Sequence, residues 1–195
     1  MTVVLAAALM RAGESSRGGR TSGRAPPGIR PFDRALVRKS SGFSCGNADL
    51  DAWLPQHAGQ QERSNNTRTF LAVVPGTERV VGYYATTSYR IEPDDAAIRL
   101  GAGRRRYPIP AVLLARLAVD AHWSGCGIGR QLLTDALMRI ADASRAVGFE
   151  LVVVDAIDDT AVTFYARHGF TQFEDHGRKL FMPTKHLLTT LEAQR

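Results

Sequence analysis

Arg116-Leu117-Ala118-Val119-Asp120-Ala121-His122-Trp123-Ser124-Gly125-Cys126-Gly127-Ile128-Gly129-Arg130-Gln131-Leu132-Leu133 runs from an apolar segment through a glycine-rich turn into the start of a helix. Leu117, Ala118 and Val119 close what reads as a buried strand. Gly125, Gly127 and Gly129 remove the Cβ atoms that would hold a ligand away from the backbone. The first N–H groups of the following helix have no intrahelical acceptor, so they and the helix dipole face whatever sits at the turn. Ser124, Gly125, Gly127, Ile128, Gly129 and Arg130 are therefore candidate contacts for a pyrophosphate. The same glycines would also serve a plain tight connection from strand to helix, and the turn alone does not choose between the two.

Working outward, Ile128, Leu132, Leu133, Ala136, Leu137 and Ile140 recur with the helical period, and the pattern stops at Gly148. Leu151-Val152-Val153-Val154 reads as a second buried strand. Asp158-Asp159 is placed to cap a short helix, Ala161 to Arg167, that ends at His168-Gly169-Phe170. Upstream, Asn47 caps a helix whose apolar face is Leu50, Trp53 and Leu54, and Pro55 bends it or closes its first turns. Thr69 to Val74 and Val80 to Ser88 form a hairpin about Pro75-Gly76. Glu92 to Pro110 reads as a charged loop, Ala111 to Val119 as the central strand and Leu151 to Asp155 as its neighbour. Segments near Phe170 and Lys179 to Met182 complete the sheet. The expected class is α/β, a mixed sheet of six or seven strands with helices on both faces.

The succession of strand, Gly-x-Gly-x-Gly turn, long helix, strand and a short helix carrying Phe164-Tyr165 before Gly169-Phe170 resembles the acetyl-CoA half of the GNAT acetyltransferase superfamily. That family's turn opens with Gln or Arg; Ser124 stands there in this chain, which removes one polar anchor and leaves the backbone N–H groups. Gly42-Phe43-Ser44-Cys45-Gly46-Asn47-Ala48-Asp49-Leu50-Asp51-Ala52-Trp53-Leu54, Arg68-Thr69-Phe70, Gly82-Tyr83-Tyr84 and Arg104-Arg105-Arg106-Tyr107-Pro108-Ile109-Pro110 resemble one branch of it. That branch is the toxins of bacterial toxin–antitoxin modules that acetylate the amino group of aminoacyl-tRNA.

The resemblance implies a GNAT fold with splayed central parallel strands, the pantetheine arm of acetyl-CoA lying along Leu117, Ala118 and Val119 as an added strand. It implies the Val119 N–H as donor to the thioester oxygen and Tyr165 as general acid for the departing thiolate. An α-amino group has a pKa of about 7.7 to 8.0, lower once its carboxyl is esterified, so attack needs no strong protein base. An antitoxin of the ribbon-helix-helix type, DNA contact only through that antitoxin, a homodimer and a cytoplasmic location complete the expectation. Two other functions stay open: a GNAT enzyme acting on a small amine or a protein amine, which carboxylates on the acceptor side would favour, and a module that holds acetyl-CoA without catalysis, against which Tyr165 argues.

The 195 residues suit one domain, expected over 29–195 and preceded by a basic extension, 1–28, whose Gly, Ser, Arg and Pro content predicts disorder, as a tail or as a start read too far upstream. No internal repeat is apparent. The net charge of +6 lies within the first forty residues, which hold eight basic side chains against Glu14 and Asp33; from Ser41 onward 17 basic residues balance 17 acidic ones. Overall basicity is thus poor evidence for RNA binding. The cluster Arg104, Arg105 and Arg106, with Arg90 and Arg99 nearby, is the better candidate for tRNA phosphates, its alternative being a solvated loop.

Cys45 and Cys126 make no disulfide framework, no His/Cys group has metal-ligand spacing, and no apolar run is long enough for a membrane span. The expected site is metal-free. Trp53 and Leu54 read as core, Cys126 as a bystander and His168 as a partner of its helix dipole. His122 and Trp123 flank the turn with no role assigned.

Overall fold

The computed structural model describes residues 26–40, 42–92, 107–174 and 176–193. Its strands are β1 (Gly28–Pro31), β2 (Arg68–Val73), β3 (Val80–Ile91), β4 (Ile109–Val119), β5 (Leu151–Asp155), β6 (Thr171–Gln172) and β7 (Lys179–Pro183), which form one mixed sheet in the order β1-β2-β3-β4-β5-β7-β6. The helices among the described residues are α1 (Arg34–Lys39), α2 (Ala48–Gln56), α3 (Ala58–Arg63), α4 (Ile128–Ala143), α5 (Asp159–Arg167) and α6 (Thr184–Glu192), with a short 3₁₀ turn at Ala121–Trp123. The chain divides into two units.

In the unit comprising Ser15–Thr87 and Ala115–Ala136, β1 pairs antiparallel with β2, and β2 with β3, the latter with a register shift at Ala72/Val73. Successive strand residues face opposite sides of a sheet, and β3 shows what each side buries. Tyr83 packs among Leu36, Val37, Leu54, Ala58, Leu71 and Ala118, donates its hydroxyl to the Leu50 carbonyl at 2.8 Å, and stacks on Trp53 with 5.7 Å between ring centroids. Gly82 and Tyr84 face α4. A Cβ on Gly82 would stand 2.9 Å from the Leu132 side chain and 3.0 Å from the Ala118 carbonyl, and the Tyr84 hydroxyl donates to Asp135 at 2.5 Å. Helices α1, α2 and α3 thus cover one face here and α4 the other.

Asn47 caps α2 as expected, its side chain accepting the Leu50 N–H at 3.0 Å. Pro55 sits in the last turn of α2, where its missing N–H helps end the helix, and a separate α3 follows His57. Strand β1 and helix α1 were not read from the sequence. The Asp33 cap, which accepts from the Ala35 N–H at 2.7 Å, was the available signal.

In the unit comprising Ser88–Leu114 and Leu137–Arg195, Ala111–Leu114 run parallel to Leu151–Val154, β5 pairs antiparallel with β7, and β6 with β7. Leu151 to Val154 are all buried, as a strand covered on both faces requires. Leu151 and Val153 pack with Ile91, Ile109, Ala111, Phe173 and Phe181. Val152 and Val154 pair across with Met182 and Leu180 on the other face. The parallel ladder spans Ala111–Leu114, and β4 continues beyond it to Val119.

Three boundaries differ from expectation. Strand β3 reaches Ile91, and β4 begins at Ile109, so the expected loop gives up its last two residues; 93–106 lie outside the described residues. Helix α4 stops at Ala143 in a series of turns before Gly148. The extension expected over 1–28 loses its end to the fold: Gly28 pairs with Val73, and the Pro27 carbonyl accepts from the Gln131 side chain at 2.7 Å. Residues 1–25 lie outside the described residues.

Candidate functional site

The end of β4 and the turn after it form a continuous backbone surface. The Asp120 N–H donates to the Val81 carbonyl at 2.9 Å. Peptide groups alternate in direction along a strand, so those of Val119 and Leu117 point to the edge away from β3. Ala118 is buried, its carbonyl close to Gly82, while Leu117 and Val119 are half-buried. The Val119 N–H is thereby a donor presented at an edge.

The turn itself is open. Gly125 and Gly127 have φ of +76° and +82°, the left-handed region that glycine enters without penalty. A Cβ on either would meet nothing within 4 Å. Backbone conformation therefore requires glycine here, and crowding does not.

The Gly127 carbonyl accepts from Gln131 at 3.0 Å, which makes Gly127 the cap of α4 and leaves the N–H groups of Ile128 and Gly129 without intrahelical acceptors. The Ile128 side chain is buried in the core, so its N–H is what it can offer a ligand. Ser124 to Gly127 are exposed, and no carboxylate occurs from Ser124 to Arg130. A diphosphate fits this donor set.

Asp120 was missed in the sequence, where a single carboxylate between two apolar segments was the signal. It is fully buried. Oδ1 accepts the His122 N–H at 2.9 Å and lies 3.1 Å from His122 Nδ1, and Oδ2 accepts the Arg79 guanidinium at 3.2 Å. Burial opposes ionisation, but these donors outweigh it and hold the carboxyl below its ordinary range. These bonds fasten the start of the turn to Arg79, the residue before β3.

A carboxyl whose folded pKa is depressed adds stability above the unfolded value of about 3.9, and that stability is lost as pH falls through the folded value. Asp120→Asn should cost about 1–3 kcal/mol near neutral pH. Urea unfolding should show the gap from the native chain narrowing as the pH is lowered below about 4. An unchanged gap would show that the carboxylate form contributes nothing.

In the other unit, Tyr165 stands on α5, whose cap Asp158 accepts the Ala161 N–H at 2.7 Å. Its ring meets Phe164 and Phe170 edge-on at 5.2 and 5.6 Å, and its carbonyl accepts from His168 and Phe170. Burial pushes the hydroxyl pKa up and keeps it protonated, the state a proton donor must occupy. His168 caps the helix with Nδ1 2.7 Å from the Phe164 carbonyl, as its position implied.

Arg90 is exposed and pairs with Glu92 at 2.9 Å; Arg99, Arg104, Arg105 and Arg106 lie outside the described residues. Trp53, expected as core, also lies under the Arg116 guanidinium at 5.7 Å. Among the described residues there is no group of three or more His, Cys, Asp or Glu arranged for a metal, and no helix long and apolar enough to cross a membrane.

The chain matches the model of the acetyltransferase (GNAT) domain over residues 66–172, a span that takes in both the glycine turn and Tyr165. It is 37% identical over 130 residues to the tRNA-acetylating toxin of Mycobacterium tuberculosis, covering 66% of this chain and 75% of that one. A KacT variant of known crystal structure superposes with a TM-score of 0.77 at 28% identity, covering 85% of this chain and 99% of that one. AtaT complexed with acetyl-methionyl-tRNAfMet superposes with a TM-score of 0.72 at 28% identity, covering 84% of this chain and 98% of that one.

Proposed function

The chain belongs to the GNAT acetyltransferase family, and from that premise we propose that it moves the acetyl group of acetyl-CoA to the α-amino group of aminoacyl-tRNA, as a translation-blocking toxin. The observation that carries this is the open, carboxylate-free glycine turn at the end of β4, in a chain 37% identical to a tRNA-acetylating toxin.

Acetyl-CoA supplies, when bound, an acetyl group activated as a thioester. The N–H groups of Gly125, Gly127, Ile128 and Gly129 hold the diphosphate, with Ser124 and Arg130 beside it. The outward peptide groups of Leu117 and Val119 hold the arm, and Ala118 keeps that edge packed on β3. The Val119 N–H stabilises the charge that develops on the acyl oxygen. Tyr165 donates the proton that the leaving sulfur needs, and the proton released by the acylated nitrogen to solvent balances the one that restores the tyrosine hydroxyl. Its burial makes it a weaker acid, so the transfer depends on a sulfur that is itself desolvated. Arg90, Arg104, Arg105 and Arg106 meet tRNA phosphates, Arg90 after release from Glu92.

A toxin of this kind acts in the cytoplasm, where charged tRNA is found. A homodimer restrained by a ribbon-helix-helix antitoxin, with DNA reached only through that antitoxin, completes the proposal.

Expression in bacteria without an antitoxin should stop protein synthesis and growth, whereas equal expression of the Tyr165→Phe variant should not. Normal growth with the native chain present at a matched level would rule the toxin role out.

A further inference from the structure

Strand β1, helix α1 and helix α3 line an open groove of about 630 Å³ away from the glycine turn in sequence. Arg30 enters from β1, Arg34 from α1 and Arg63 from α3. Among the described residues none of the three guanidinium groups is engaged in an ion pair or a hydrogen bond. The acids that border the groove are engaged: Asp33 caps α1, and Glu62 accepts from Arg68 at 3.4 Å and from the Thr69 N–H. Phe32, half-buried against the core of this unit, lies on the floor beside Gly59. A Cβ on Gly59 would stand 3.4 Å from the Phe32 ring and 3.7 Å from Arg63 Nη1.

Three guanidinium groups brought together from separate elements repel one another, and water and salt reduce that repulsion without reversing it. A polyanion reverses it. The charge distribution agrees, because the chain's whole net charge lies in its first forty residues, to which Arg30 and Arg34 belong. A guanidinium fork accepts carboxylate or phosphate, but an aromatic ring set among such forks favours a nucleic acid, whose sugar or base can lie on it. The volume falls within the roughly 300–1,000 Å³ of pockets that enclose a small ligand, enough for a short length of strand.

We infer that this groove holds phosphodiester groups of the RNA acceptor, with Phe32 against a sugar or base. The inference rests on the tRNA reading above and adds a site separate from Arg90 and Arg104 to Arg106. The guanidinium groups position the acceptor and take no part in the chemistry.

The test is a titration of the full chain with uncharged bulk tRNA over a range of salt concentrations. Arg34 and Arg63 are exposed, so replacing both by Ala leaves the core intact, and thermal unfolding checks this. The double variant should bind roughly tenfold more weakly at low salt, with the log–log salt slope flattened by about 0.7 to 0.9 for each lost contact. Lys at both positions should keep the slope. Arg145→Ala, which removes one charge from a residue paired with Asp142, should leave binding unchanged.

Unchanged affinity and slope in the double variant would overturn the inference. So would poly-glutamate that binds the native chain and not the double variant while tRNA binding is equal, since the groove would then take an acidic peptide. Equal acetylation of charged tRNA by native chain and double variant would also remove the groove and leave the proposed activity standing. A flattened slope in a chain that acetylates no charged tRNA would keep the groove and remove the proposed activity.

Discussion

Tyr165→Phe should lower turnover by roughly 10² or more, the lower range of general acid–base contributions, while acetyl-CoA still protects the variant against thermal unfolding. The substitution removes one oxygen and keeps the ring that packs on Phe164 and Phe170, so stability should change little. Burial keeps the native hydroxyl protonated, and no acidic limb of activity below neutral pH should therefore arise from Tyr165. A fall in kcat and in kcat/KM by the same factor is the signature of an interaction made only in the transition state. Turnover equal to that of the native chain would return Tyr165 to a packing role.

Gly127→Glu should abolish acetyl-CoA protection altogether. At a ligand concentration of about 100 times Kd, that protection is worth about 2.7 kcal/mol in the native chain. The substitution places a carboxylate in the open space above the turn, where the diphosphate is proposed to lie, and forces a side chain into a φ of +82°. The second effect costs about 1–2 kcal/mol. Gly127→Ala carries the same backbone strain without the charge and should keep part of the protection, which separates the two causes. Full protection of the glutamate variant would mean that the diphosphate binds elsewhere.

Local pattern revealed the parts of the fold whose signals are local. The six apolar positions of α4 are all buried where the helical period put them, and the Asn47 and Asp158 caps act on the helices they were read to start. The glycine turn was legible because its residue types are dictated by backbone conformation, and the two positive φ values fall on Gly125 and Gly127. The bounds of β3 and β4 were obscured by Pro108, Pro110 and the charged residues after Ile91, which suggested a loop. Yet Pro110 lies within β4, its carbonyl accepting from the Glu150 N–H at 2.8 Å.

Strand β1 and helix α1 are too short to show a period, and they follow a stretch rich in Gly, Ser and Arg. Asp120 needed its partner Arg79, 41 positions away. The arginine groove needed the convergence of β1, α1 and α3, which no window along the chain contains.

Incubating the purified chain with labelled acetyl-CoA and bulk aminoacylated tRNA, then identifying the terminal aminoacyl-adenosine by mass spectrometry after nuclease digestion, tests the central claim most directly. Acetyl should appear on the α-nitrogen of the amino acid, disappear when the ester is hydrolysed before the reaction, and be lost in the Tyr165→Phe variant. Rapid acetylation of a small polyamine, with charged tRNA left untouched, would contradict it.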